Sequence, residues 1–266
     1  RVVFSKGGFV AVPVVIGAWL NRVPIVIHES DLTAGLANRI CAKFADHLCT
    51  AFQDTLDAFR TPSLKTHTGI PLRSAFYAPS SKLPTSFPTP HPSKPRLVIF
   101  GGSLGAEPIN QFIFNHIKEL TDQFQIIHII GPQIKTPLQH IDYHPYPNIH
   151  DHFPNVLFSA QLILCRSGAN TLYELITLQC PHILVPLPKY ASRGDQIHNA
   201  NWAAQKGLSG VIPQDQLQLN IFRDLADKIL GKSDQYREKM AAEKLPNGHN
   251  ILISILDPYL DTKKHL

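Results

Sequence analysis

The sequence predicts an α/β protein built as two parallel-sheet halves, and three observations carry that prediction. Apolar runs of strand length alternate with segments of helical period, the pattern of parallel strands covered by helices. The chain is 266 residues long, comfortable for two such halves. Between them the alternation stops: Pro79, Pro84, Pro88, Pro90, Pro92 and Pro95 fall in one stretch with Ser80, Ser81, Ser86 and Ser93. Proline fixes φ and removes a backbone donor, so this stretch reads as an extended, semi-rigid linker over 75–95.

In the first half, residues 1–74, Val2–Ser5 reads as a strand, followed by Lys6-Gly7-Gly8 and a helix from Pro13 to Leu20. Ile25–His28 is the next strand and Leu32–Phe44 the next helix, with shorter strands at His47–Ala51 and Thr66–Gly69. Residue 1 is Arg and a buried strand follows at once, so the chain is expected to begin inside a domain. In the second half, residues 96–248, strands are expected at Arg96–Phe100, Gln125–Ile130, Leu162–Cys165, His182–Pro186 and Val211–Ile212. Helices are expected at Ile109–Leu120, Asn170–Leu178 and Gln196–Lys206. A last helix, within 249–266, is expected to pack back on the first half. The whole reads as two Rossmann-like halves.

Composition narrows the function. Hydrophobic residues make up 44% and charged residues 17%, an ordinary globular balance. Lys and Arg number 25 against 20 Asp and Glu, a net +5. That mild excess suits an anionic substrate or an acidic membrane surface. No dense basic run with interleaved aromatics occurs, so nucleic acid is not the expected partner. Cys41, Cys49, Cys165 and Cys180 form no CxxC pair and sit among apolar residues, which reads as buried, reduced thiols of a cytoplasmic protein. The longest apolar stretch, Phe9–Leu20, contains Pro13 and Gly17 and is too short to span a bilayer.

Two strand-to-helix turns carry the chemistry. Leu97–Phe100 runs into Gly101-Gly102-Ser103-Leu104-Gly105-Ala106, and Leu164-Cys165 into Arg166-Ser167-Gly168-Ala169-Asn170. Such turns leave N–H groups at the positive end of a helix dipole, where phosphate binds, although glycines also simply make tight turns. Neither turn is a Walker loop or a GxGxxG fingerprint. Glu174 follows the second turn by about one helical turn, placed to accept both hydroxyls of a ribose. A third segment, Pro186 to Ala200, brings Asp195 and Gln196 to the start of a helix, where they can reach sugar hydroxyls or act as caps. A nucleoside diphosphate is the economical ligand for this set. His140, His144, His150 and His152 lack ligand spacing and read as a solvated loop, so no metal is expected. His28-Glu29 reads as a structural or acceptor-facing position.

The order GGSLGA, CRSGANTLYE and DQIHNA resembles the second half of the MurG family of cell-wall glycosyltransferases. In the first half, SKGGF, HESDLTAGLAN and TGIPLR resemble that family's GGY/F, HEQN-x-x-x-G-x-x-N and GNPVR segments. The resemblance implies a GT-B fold, with the active site in a cleft between the domains. It implies inverting transfer of N-acetylglucosamine from UDP-N-acetylglucosamine to lipid I, forming lipid II at the cytoplasmic face of the plasma membrane, with no cofactor. Arg73 and Ser103 would contact UDP, and Ala169, Asn170, Thr171, Leu172, Tyr173 and Glu174 would hold diphosphate and ribose. Gln196, Asp195 and Asp31 would contact the sugar, with a backbone contact to uracil near His150. Ser30 and Asp31 stand where the family has Gln and Asn, and Asp195 where it commonly has Gln. The family's first quarter, with its Gly-rich loop and proposed histidine base, has no counterpart here, so weak donor binding and poor turnover are expected. Related readings are a UDP-sugar 2-epimerase, a diacylglycerol glucosyltransferase or an inactive UDP-sugar-binding fragment. Phe9–Leu20, flanked by Lys6 and Arg22, reads first as a buried helix and is also the candidate for peripheral membrane contact.

Overall fold

The computed structural model describes residues 1–80, 82–102, 104–134, 136 and 138–260, which separate into two compact units, 1–73 with 245–260 and 74–244. Unit 1 contains β1 (Val3–Ser5), α1 (Ala11–Leu20), β2 (Ile25–Glu29), α2 (Leu36–Cys41), β3 (His47–Thr50), α3 (Gln53–Ala58) and β4 (Leu64–His67). Its four strands pair in sequence order and all in parallel. Strand alternation sorts the sheet faces. Ile25, Ile27 and Leu48 pack with Val15 and Ala18 of α1, Cys41 of α2 and Leu56 of α3. Val26 and Cys49 face the other way, onto Leu252 of the C-terminal helix, Gly248–Leu260. That helix can approach only because residue 248 is glycine: a Cβ there would stand 2.5 Å from the Ile70 carbonyl carbon.

Unit 2 contains β5 (Arg96–Phe100), α4 (Glu107–Asn115), α5 (Ile117–Gln123), β6 (Gln125–Ile129), β7 (Tyr143–Tyr146) and α6 (Phe153–Phe158). It continues with β8 (Leu162–Cys165), α7 (Ala169–Thr177), β9 (His182–Leu184), α8 (Asp195–Gln205), β10 (Gly210–Val211), α9 (Leu219–Leu230) and α10 (Ser233–Ala242). The sheet order is β10-β9-β8-β5-β6-β7, all parallel. The chain therefore winds outward from β5 in one direction, then returns and winds outward in the other. This creates a topological switch point between β5 and β8, where ligands bind in open α/β sheets.

Several sequence expectations shift. The helix expected over 32–44 is confined to Leu36–Cys41, because the Glu29 carboxylate holds the N–H groups of Asp31 and Gly35 and keeps the preceding segment a loop. The helix expected over 109–120 breaks at His116 (φ −123°), making α4 and α5. The histidine segment is not simply a solvated loop. Tyr143–Tyr146 is a strand, and Pro145 within it is tolerated because β7 is a sheet edge. The proline-rich stretch is strapped to unit 2 rather than free. Arg96 donates to the Pro88 carbonyl at 2.7 Å, Gln125 to the Thr89 carbonyl at 2.8 Å, and the Phe87 ring stacks on Tyr146.

Candidate functional site

Strand register aligns the corners of unit 2. Phe100 pairs with Cys165, and Cys165 with Leu184, so β5, β8 and β9 end level. The turns that follow, Gly101–Ala106 before α4, Arg166–Gly168 before α7 and Val185–Gly194 before α8, rise side by side at the switch point. Among the described residues the N-cap positions Ala106, Gly168 and Gly194 make no side-chain cap, and the positive dipole ends of α4, α7 and α8 lie at these corners.

The first corner is closed by contact rather than by chance. A Cβ on Gly101 would stand 2.2 Å from that of Ala106, and a Cβ on Gly105 (φ +83°) would stand 2.2 Å from the Ile130 carbonyl oxygen. Beneath it, Asn110 donates to that same carbonyl at 2.8 Å. His128, fully buried, donates from Nε2 to Asn110 Oδ1 at 3.0 Å and accepts from the Tyr143 hydroxyl at 3.1 Å. Burial lowers the His128 pKa to about 3, so the ring is neutral. Ser103 lies outside the described residues.

The second corner is open. A Cβ on Gly168 would meet nothing within 4 Å. The Ser167 hydroxyl donates to the Gln196 carbonyl, and the Asn199 amide donates back to the Ser167 carbonyl at 3.0 Å. Arg166 is 7% exposed and donates to the Val185 and Pro186 carbonyls and to Gln214 Oε1 at 2.7 Å; Gln214 in turn donates to the Tyr190 hydroxyl. Among the described residues no carboxylate is ion-paired with Arg166. Its charge adds to the positive potential of the corner.

The residues 169–174, expected to hold diphosphate and ribose, lie in α7 from its first residue, Ala169, onward, and helical geometry divides them. Ala169, Leu172 and Tyr173 lie on the core face, with Leu172 and Tyr173 fully buried, so their side chains are withdrawn from any ligand. Asn170 is exposed, and Thr171 and Glu174 are half-buried on the outer side. The Glu174 carboxylate is close enough to add to the burial that raises the Cys165 thiol pKa, which places it near the end of β8. Gln196 accepts from the Leu187 N–H at 3.1 Å, and its Nε2 has no partner among the described residues. Asp195 pairs with Arg193 at 3.2 Å. The Arg166–Gln214–Tyr190 chain and Asn199 escaped sequence reasoning; the only available signal was the place of Arg166 and Asn199 inside the quoted motifs.

In unit 1 the motif residues hold one another. Glu29 accepts from Asn38 Nδ2 at 2.9 Å as well as from Asp31 and Gly35. Gly7 (φ +90°) lies against Asn38, leaving no room for a Cβ. His28 donates from Nε2 to the Gly69 carbonyl at 2.8 Å, so Nδ1 accepts from Ser30, and burial lowers its pKa to about 4. Lys6 is also lowered, by burial first, against the raising effect of Glu29 and Asp31. Arg73 is exposed and Asp31 half-buried, both on unit 1. Among the described residues no group of three His, Cys, Asp or Glu side chains is placed to hold a metal ion.

Two parallel-sheet α/β units, one with its corners level at a switch point, define a glycosyltransferase of the GT-B fold. The crystal structure of Acinetobacter baumannii MurG superposes with a TM-score of 0.74 at 24% identity, covering 97% of this chain and 73% of that one. CalG4, the calicheamicin glycosyltransferase, gives 0.65 at 13% identity, covering 93% and 70%. The models of the glycosyltransferase family 28 N-terminal and C-terminal domains match residues 1–50 and 96–251, and the chain belongs to this family. A relative from Clostridium tetani, a UDP-N-acetylglucosamine--N-acetylmuramyl-(pentapeptide) pyrophosphoryl-undecaprenol N-acetylglucosamine transferase, is 36% identical over 99% of this chain and 74% of its own length. Relatives of the same name from Legionella pneumophila (strain Paris) and Clostridium novyi are 36% and 37% identical, over 96% and 97% of this chain and 71% and 73% of theirs.

Proposed function

We propose that this chain transfers N-acetylglucosamine from UDP-N-acetylglucosamine to lipid I, forming lipid II. The muramyl C4 hydroxyl attacks the anomeric carbon, the bond from that carbon to the diphosphate oxygen breaks, and UDP leaves as the hydroxyl proton passes to a base. The observation that carries the reading is the register of Phe100 with Cys165, which supports a diphosphate lying across both corners. There the N-termini of α4 and α7 and the positive charge of Arg166 stabilise the charge that develops on the departing diphosphate. Glu174 accepts from the ribose hydroxyls, Asn170 and Thr171 flank the diphosphate, and Gln196 Nε2 donates to the sugar with Asp195 beside it. Arg73, Ser103 and Asp31 belong to the proposal on resemblance alone.

Peripheral membrane contact is assigned to α1 and the turn before it. Phe9 is 86% exposed, and Val10, Val14, Trp19 and Leu20 are exposed with it, flanked by Lys6 and Arg22. Such an apolar face inserts at a headgroup boundary while the cations meet anionic lipid. Among the described residues no helix is long and apolar enough to cross a membrane. The proposed site of action is the cytoplasmic face of the plasma membrane.

Calorimetry with UDP, followed by transfer from labelled UDP-N-acetylglucosamine to lipid I or to diacylglycerol, tests the reading. Transfer to lipid I alone supports it. Absence of uridine nucleotide binding, or transfer to diacylglycerol instead, overturns it.

A further inference from the structure

The loop that leads into α8 carries a tyrosine that the proposed chemistry does not use. Three bonds fold this loop on itself. Ala191 donates its N–H to the Pro188 carbonyl at 3.0 Å, Gly194 donates its N–H to the Ser192 hydroxyl at 3.2 Å, and Leu187 donates to Gln196 Oε1 at 3.1 Å. The last bond ties the start of the loop to the second residue of α8, so the residues between them stay beside Gln196. Tyr190 stands in the middle of this closed segment and is 86% exposed. Its hydroxyl is nevertheless fixed. Gln214 Nε2 donates to it at 3.2 Å, and Gln214 Oε1 accepts from Arg166 at 2.7 Å. Arg166 is buried and anchored on the Val185 and Pro186 carbonyls, so the tyrosine is held at its polar tip by a chain that starts in the second corner. The ring itself stays open to solvent. Fixing the hydroxyl in advance restricts the side chain, so covering the ring costs little further conformational entropy. An open aromatic face suits a flat body with C–H groups to present. A pyranose with equatorial substituents turns its axial C–H bonds outward on both faces, and the negative face of the ring attracts them.

We propose that Tyr190 stacks on the pyranose ring of the donor sugar, with Gln214 as the residue that positions it. This rests on the nucleotide-sugar reading above and deepens it, because Tyr190 then separates a donor that carries a pyranose from the bare nucleoside diphosphate. Gln196 holds the edge of the sugar through a hydrogen bond, and Tyr190 covers a face.

The full chain is titrated with UDP and with UDP-N-acetylglucosamine, and thermal melting reports on the fold of each variant. Tyr190→Ala should weaken UDP-N-acetylglucosamine binding about three- to tenfold and leave UDP binding unchanged. Tyr190→Phe keeps the ring and loses the anchor, so it should recover most of that loss, to within about threefold of wild type. Gln214→Ala should match Tyr190→Phe and add nothing in that background, since both remove the same bond. Equal affinity of wild type and Tyr190→Ala for UDP-N-acetylglucosamine, with UDP binding intact, overturns the platform and leaves the nucleotide reading standing. Equal losses for both ligands in Tyr190→Ala also overturn it, because they show a disturbed loop rather than a lost sugar contact. Additive losses from Gln214→Ala and Tyr190→Phe overturn the positioning role. A wild-type chain that binds neither ligand overturns the nucleotide reading, and the platform falls with it.

Discussion

The Ser167 hydroxyl donates to the Gln196 main-chain carbonyl at 2.8 Å, so the residue that turns β8 into α7 also fixes the first turn of α8. Asn199 returns a bond to the Ser167 carbonyl, and the two helix starts hold together as one surface. Ser167→Ala removes a buried bond and is expected to cost roughly 1–3 kcal/mol of stability. Because Gln196 is then free to shift, UDP-N-acetylglucosamine binding should weaken more than UDP binding. Calorimetry with both ligands checks this, and equal losses would count against a sugar contact by Gln196.

Glu174→Gln keeps the shape of the outer face of α7 and removes its charge. A hydrogen bond to a charged group contributes about 1.5–3 kcal/mol, so UDP affinity should fall roughly 10- to 150-fold. The 2′,3′-dideoxy analogue of UDP should bind wild type and variant alike. A variant that still distinguishes the analogue from UDP would remove Glu174 from the ribose.

Two glycines at the corners should respond in opposite ways. Gly168 has φ −62° and open space around a would-be Cβ, so Gly168→Ala should fold with stability within about 1 kcal/mol of wild type. The added methyl obstructs a diphosphate approaching the start of α7, and UDP affinity should drop about tenfold or more. Gly105→Ala combines a left-handed backbone with collision against the Ile130 carbonyl, for an expected loss of roughly 3 kcal/mol or more. Urea unfolding with parallel UDP titration separates the two outcomes.

Acid should destabilise the fold through its buried histidines. Burial lowers His128 to about 3, and His28 and His182 to about 4, from 6.5. Between those values and 6.5 the unfolded chain binds protons that the folded chain does not, so stability rises with pH across that window and is lost as pH falls below about 6.5. Each such group contributes a slope of up to about 1.4 kcal/mol per pH unit. His128→Gln should flatten the dependence of unfolding free energy on pH between 6.5 and 4.5. An unchanged slope would show that His128 is charged, or unburied, in the folded protein.

The sequence by itself determined the parallel α/β class, the two glycine corners with Glu174 beyond the second, and the family, because strand runs, helical period and glycine placement are local signals. It also held Gly7, Glu29 and Asn38 in the right motifs, without showing that they bond to one another. Only the tertiary structure decided which residues around 169–174 face outward, since one helical turn spans every direction and packing chooses the buried side of Tyr173. Only it aligned Phe100 with Cys165, strapped the proline-rich stretch to unit 2 through Arg96 and Gln125, and made an edge strand of a segment containing Pro145. These relationships join residues distant in sequence, and hydrogen-bond register and close packing, which fix them, exist only once the sheet has formed.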